Sequence, residues 1–235
     1  MSRRFSPTAS LIISLIVILA VWTRKVVRNT IYIEEILRLF ASIENVLLNS
    51  LIMGLFAVLV VTLLLRLSGE RYRDLGFTGQ RIGRQLAFGV FFGTLIFAFD
   101  TFLSTPVVES LLPSTAAPGV DMGTLFSNTR LLPLWILAGL FKGAFSEELW
   151  RIFALTRFEK WLGRPGLILA LILGSIVFGF GHLYQGLSGL VTITIVGFLY
   201  ALVYLRRRRV LEAMFAHATF NLISITLGYL MYSGS

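Results

Sequence analysis

The sequence predicts an all-α fold: a polytopic transmembrane bundle of about seven helices. Three observations carry that expectation. Charged residues make up 14% of the 235 positions and the hydrophobic set 56%, whereas a soluble domain carries about 25% charged residues. Mean hydropathy is +0.83. Seven stretches also approach the roughly 20 mostly apolar residues that a helix needs to cross a bilayer. They lie near residues 8–22, 45–65, 85–103, 131–158, 165–182, 186–205 and 210–232. The apolar and aromatic content excludes a disordered chain. The absence of cysteine excludes a disulfide framework, a zinc ribbon and a cysteine nucleophile. No internal repeat or second domain is evident, so residues 1–235 read as a single integral membrane domain.

The first stretch follows Ser2-Arg3-Arg4, as in a signal peptide, but no small-x-small cleavage site comes after it. An uncleaved helix is the expectation. Lys and Arg in short loops then set the orientation. Arg66, Arg71, Arg73, Arg81 and Arg84 follow the second span. Arg157, Lys160 and Arg164 separate the fourth from the fifth, and Arg206 to Arg209 follow the sixth. All three groups read as cytoplasmic. The segment Ser104 to Asn128, with Glu109 and Asp121, reads as outside. The N-terminus is therefore expected to be cytoplasmic. The segment from Thr23 to Glu44 must then face outside despite Arg24, Lys25, Arg28 and Arg38. Ile31, Ile33, Ile36, Leu37 and Phe40 interleave with those charges, as in an interfacial amphipathic helix. The formal charge of +9 reads as loops held against an anionic leaflet, not as nucleic-acid binding. The four arginines at 206–209 read as a stop signal.

A charge at the centre of a spanning helix costs about 2.5–3.5 kcal/mol on insertion scales. Polar residues persist there where they pair, line a wet cavity or do chemistry. The fourth span holds Glu147, Glu148 and Arg151; Arg151 is four residues from the first carboxylate and three from the second, both reachable on one helix. The fifth ends at His182, after Phe178. The seventh holds His217 and Asn221, four apart and on one face. Each group alone has a structural reading as a polar tie between helices. Together a carboxylate, an imidazole, and a second imidazole with an amide are the parts for activating water and binding an oxyanion. The class of reaction that fits is hydrolysis of an amide or ester bond. At about 1.5 Å per residue, Glu147 lies roughly 20 Å above Lys160, His182 roughly 25 Å above Pro165 and His217 roughly 11 Å above Val210. One shared site therefore requires tilted or staggered helices.

These residues resemble the intramembrane proteases grouped as type II CAAX prenyl endopeptidases and bacteriocin-processing enzymes, the abortive-infection-like family. That family carries a glutamate pair followed by arginine, then Phe-x-x-x-His, then His-x-x-x-Asn or Asp. Here these are Glu147-Glu148 with Arg151, Phe178 with His182, and His217 with Asn221; the resemblance covers about residues 85–232, the expected catalytic core. It implies an intramembrane endopeptidase acting on a peptide or protein in or near the bilayer. It implies Glu147 as base with His182, and His217 with Asn221 as oxyanion site, supported by Glu148 and Arg151. The family is described as metal-dependent. A set of Glu147, His182 and His217 is compatible with an open catalytic zinc site but does not demand one. Two residues, Leu149-Trp150, separate Glu148 from Arg151 where the family has three. Either Arg151 keeps its position and Ser146-Glu147 take the glutamate places, or the glutamates keep theirs and Arg151 has moved round the helix; the second is preferred, because Glu147 and Arg151 then remain directly paired. The displaced arginine also motivates an alternative, a non-catalytic scaffold or immunity-type protein of the same fold. A proton-coupled carrier is disfavoured by the lack of an inverted repeat.

Overall fold

In lipid every backbone amide and carbonyl must find its partner within the protein, so an apolar chain of this kind closes into helices. The computed structural model describes residues 6–39, 42–112 and 126–232, and among them are helices, turns and no strand. Helix α1 (Pro7–Ile31) is capped by the Ser6 hydroxyl, which accepts from the Ala9 amide, with Pro7 at the first position. Helices α2 (Ile33–Leu39) and α3 (Ile43–Ser68) follow. Gly69, at φ 71°, ends α3 in the left-handed conformation that glycine adopts at least cost. Helix α4 (Ile82–Phe99) passes through a π turn, Asp100–Ser104, into α5 (Thr105–Leu111). The second half contains α6 (Leu132–Ala138), a π segment (Gly139–Glu147), α7 (Glu148–Leu162), α8 (Arg164–Phe180), α9 (Gly186–Arg207) and α10 (Val210–Tyr232).

Among the described residues, five helical stretches are long and apolar enough to cross a membrane: Pro7–Ile31, Ile43–Ser68, Ile82–Leu111, Leu183–Arg207 and Val210–Tyr232. Arg164–Phe180 is a shorter apolar helix. Large apolar side chains such as Ile52, Phe56, Leu59 and Leu63 stand exposed along α3, the surface expected of a protein solvated by acyl chains. The chain is an all-α integral membrane protein.

Two expectations about loops are corrected. Helix α1 continues nine residues past Trp22, so Arg24, Lys25 and Arg28 lie on a helix and not in a loop. The extension is possible because its inward polar groups are satisfied inside. Asn29 donates to the Lys25 carbonyl at 2.7 Å, and the Lys25 ammonium lies 5.3 Å from the centre of the Phe178 ring. The amphipathic segment expected nearby is α2, with Ile36 buried and Glu34 paired to Arg38 at the surface; Phe40 lies outside the described residues. The segment read as an outside loop from Ser104 is helical to Leu111, and Asp121 lies outside the described residues.

The most polar rod is the innermost. From Glu148 to Phe158, every residue of α7 except Trp150 is buried, among α1, α3, α8 and α10. Charges in a bilayer protein face the bundle interior for the reason given by their insertion cost. Helix α10 lies against α4 through Gly89 and Gly93, small residues four apart that let two backbones approach. A Cβ at Gly93 would sit 2.8 Å from the Thr219 Cβ and closer still to the Ala216 carbonyl.

The basic ends of the rods are tied by ion pairs. Glu70 accepts from Arg157 and from Lys160, the latter at 2.6 Å. Arg208 grips Glu159 through both terminal nitrogens, at 2.7 Å each. Fully buried Glu212 pairs with Arg206 at 3.1 Å and Arg207 at 2.9 Å. The arginine run is therefore also a set of helix ties. Burial would raise the Glu70 carboxyl, but hydrogen bonds from Arg157 and Lys160 outweigh it and hold the group below its ordinary 4.5.

Two outcomes follow for stability in detergent. Gly93→Leu should destabilise the protein by about 1–3 kcal/mol through overpacking, read by thermal unfolding. Gly83→Ala on the same helix should cost nothing, because no atom lies within 4 Å of the added Cβ. A depressed carboxyl stabilises above its unfolded pKa and loses that contribution as pH falls through its folded value. The stability gap between wild type and Glu70→Gln should thus be full at neutral pH and shrink as pH drops below 4.5. A gap independent of pH would contradict the pairing.

Candidate active site

Four elements bring the candidate residues together: the π segment, α7, the end of α8 and the middle of α10. Glu148 is fully buried and its Oε1 accepts two hydrogen bonds at 2.8 Å, one from Arg151 Nη1 and one from His217 Nδ1. With Nδ1 donating to the carboxylate, Nε2 is the ring atom of His217 left for other chemistry. Tyr200 stacks on the His217 ring at 4.5 Å and 17°. The Phe178 ring forms a wall of the same space. The Arg151 guanidinium lies 4.2 Å from its centre, the His182 ring 5.4 Å and the His217 ring 6.0 Å.

His182 follows α8 in the turn that leads to α9. Its amide donates to the Gly179 carbonyl at 2.8 Å, and Gln185 Nε2 lies 3.4 Å from its Nδ1. Asn221 donates to the Gly139 carbonyl at 2.9 Å. That carbonyl opens the π segment, and a π turn takes backbone groups off the α ladder, a feature frequent at functional sites. Gly143 lies opposite. A Cβ there would be 2.5 Å from Asn221 Nδ2 and 3.6 Å from His217 Nε2, so the absence of a side chain keeps that edge of the imidazole uncovered.

Glu147 does not pair with Arg151 as expected. Its partner is Lys142, five residues earlier. Residues five apart on an α-helix diverge by about 140°, but the i→i+5 bonding of a π-helix brings them to one face. Lys142 was not singled out from the sequence for this reason: its spacing means nothing until the π segment is known. Glu147 also interacts electrostatically with Lys25, His217 and His182. Its side chain is 19% exposed, against 0% for Glu148. Ser146, the other candidate for the first glutamate place, is buried and donates to the Gly54 carbonyl of α3 at 3.0 Å.

Staggered helix ends narrow the depth gap between α7 and α10. The Arg208–Glu159 pair sets the start of α10 level with Glu159. From there, at 1.5 Å per residue, Glu148 lies roughly 16 Å up α7 and His217 roughly 13 Å up α10.

A zinc centre needs about three protein ligands on one point. Among the described residues no group of three His, Asp or Glu side chains is placed to hold a metal ion. Of the expected set, Glu147 is engaged by Lys142, whereas His217 keeps Nε2 uncovered. With no third donor converging on one point, the described residues do not fit that metal centre.

Adjacent glutamates and two imidazoles thus gather around Phe178 inside a helical membrane bundle. Residues 128–223 match the family described as type II CAAX prenyl endopeptidase Rce1-like, the family that the three motifs resemble. The matched segment contains all six candidate residues and Lys142; Lys25 lies before it. At the level of the family, the match supports a CAAX-type intramembrane endopeptidase role, a hydrolase. No curated protein and no solved structure matches the chain.

The two carboxylates should separate in stability measurements. Arg151→Met strips a partner from a fully buried carboxylate and should cost about 3–5 kcal/mol. Glu147→Gln alters a partly exposed pair and should cost about 1 kcal/mol or less. Equal costs in detergent unfolding would contradict the assignment of Glu148 as the structural member.

Proposed function

We propose that this protein is an intramembrane endopeptidase that hydrolyses a peptide bond in or near the bilayer, with the arginine-rich helix ends and the N-terminus on the cytoplasmic side. One observation carries the reading: imidazoles from two separate elements gather around the Phe178 ring beside adjacent glutamates, with His217 bonded to Glu148 at 2.8 Å.

Exposure sorts the roles. A general base must reach water within hydrogen-bond distance. Glu147 is the accessible carboxylate and Glu148 is sealed, so Glu147, assisted by His182, takes the proton of the attacking water. Glu148 holds His217 and Arg151 balances its charge. The carbonyl oxygen of the scissile bond becomes negative as water adds. His217, as an imidazolium that keeps Nδ1–H on Glu148 and carries a second proton on Nε2, and Asn221, through its amide, donate to that oxygen. Preorganised donors of this kind are worth about 10²–10³ in rate each. The tetrahedral carbon then expels the amine, which regains a proton from Glu147 or His182.

The alternative, a non-catalytic membrane protein of the same fold, is favoured by the Lys142 ammonium resting on Glu147. Cleavage of a peptide library by purified protein in liposomes separates the two readings. Glu147→Gln and His182→Ala should each lower kcat by about 10²-fold or more while the protein stays folded. Unchanged turnover in both variants would remove the protease reading.

A further inference from the structure

Two lysines that no motif includes act on the candidate base. Lys142, on the π segment, pairs with Glu147. Lys25 reaches the same carboxylate electrostatically from α1. Its position is enforced by glycine: a Cβ at Gly181 would lie 2.5 Å from the Lys25 ammonium, and the Phe178 ring flanks it at 5.3 Å. The Lys142 and Glu147 side chains are 26% and 19% exposed. Lys25 and Lys142 both act on Glu147, while Arg151 is bonded to Glu148.

We propose that Lys142, with Lys25 beside it, is a positioning residue that holds the Glu147 carboxylate near the His182 and His217 imidazoles and supplies the fixed positive charge a divalent metal would otherwise bring. The proposal rests on the endopeptidase reading for its kinetic consequence, and on the donor geometry for its structural one. A carboxylate carried on a helix wall has free rotamers; an ammonium bound to one oxygen fixes its direction and leaves the other oxygen for water. Ammonium groups fixed beside the base favour the developing oxyanion. The same two ammonium groups repel a dication from the place where Glu147 and the imidazoles would have to gather around it.

The test uses the full-length protein in liposomes with the peptide library. Lys142→Ala should lower kcat about a hundredfold and leave KM within about threefold, since the lysine acts on the base and not on substrate binding. Lys142→Arg should restore most of the rate. Added ethylammonium should rescue Lys142→Ala in a saturable way, which a purely structural lysine would not allow. Full activity in Lys142→Ala, or loss that neither arginine nor ethylammonium repairs, overturns the proposal while Glu147→Gln still reports on the endopeptidase reading. A second arm needs no activity. After equilibration with zinc chloride and removal of the excess, wild type should retain no stoichiometric zinc. Retention of one zinc per chain, lost in both Glu147→Gln and His182→Ala, overturns the proposal. If wild type cleaves nothing, the endopeptidase reading falls and the zinc arm alone decides whether the lysines exclude a metal.

Discussion

A carboxylate inside a bilayer protein has to be neutralised by the protein itself, and much of this fold can be read as the consequence. Glu148 has no exposed surface, and its Oε1 receives both Arg151 and His217. That one oxygen joins α7 to α10. Phe178 of α8 stacks against the same guanidinium, which draws in the third rod. The polar helix is therefore the central one, and the apolar helices act as its solvent boundary. The same rule operates at the basic ends, where Glu70, Glu159 and Glu212 each meet arginine.

The adjacent glutamates show how one residue of displacement changes a role. Glu148 begins a regular α-helix and points into the bundle. Glu147 ends the π segment and is turned toward Lys142 and the more open side of the cleft. A structural carboxylate and a reactive one can thus share a peptide bond. Widening the helix also frees the Gly139 carbonyl for Asn221 and, at Gly143, leaves His217 Nε2 uncovered. A regular α-helix over the same residues would place Lys142 on another face.

Hydrophobic runs made the helices legible because lipid imposes a simple code: a run of apolar residues of the right length has one stable form. The order of the rods and the meeting of motif residues from α7, α8 and α10 followed from the cost of leaving those groups in hydrocarbon. What escaped was information held between helices. Lys25 looked like a loop residue because its inward partners, Phe178 and Gly181, are more than 150 positions away. Tyr200 looked like one aromatic among many, although it stacks on His217. The expected Glu147–Arg151 pair failed because helical spacing was counted at a uniform 3.6 residues per turn, and the π segment breaks that count. The displaced arginine consequently belongs to Glu148.

The most direct measurement of the central claim is a dipolar-coupling distance in the membrane-reconstituted protein between labelled His217 Nδ1 and the side-chain carboxyl carbon of Glu148. The account predicts a strong coupling that matches the 2.8 Å nitrogen–oxygen hydrogen bond and vanishes in Glu148→Gln. No coupling, or a coupling of His217 to Glu147 instead, would contradict it.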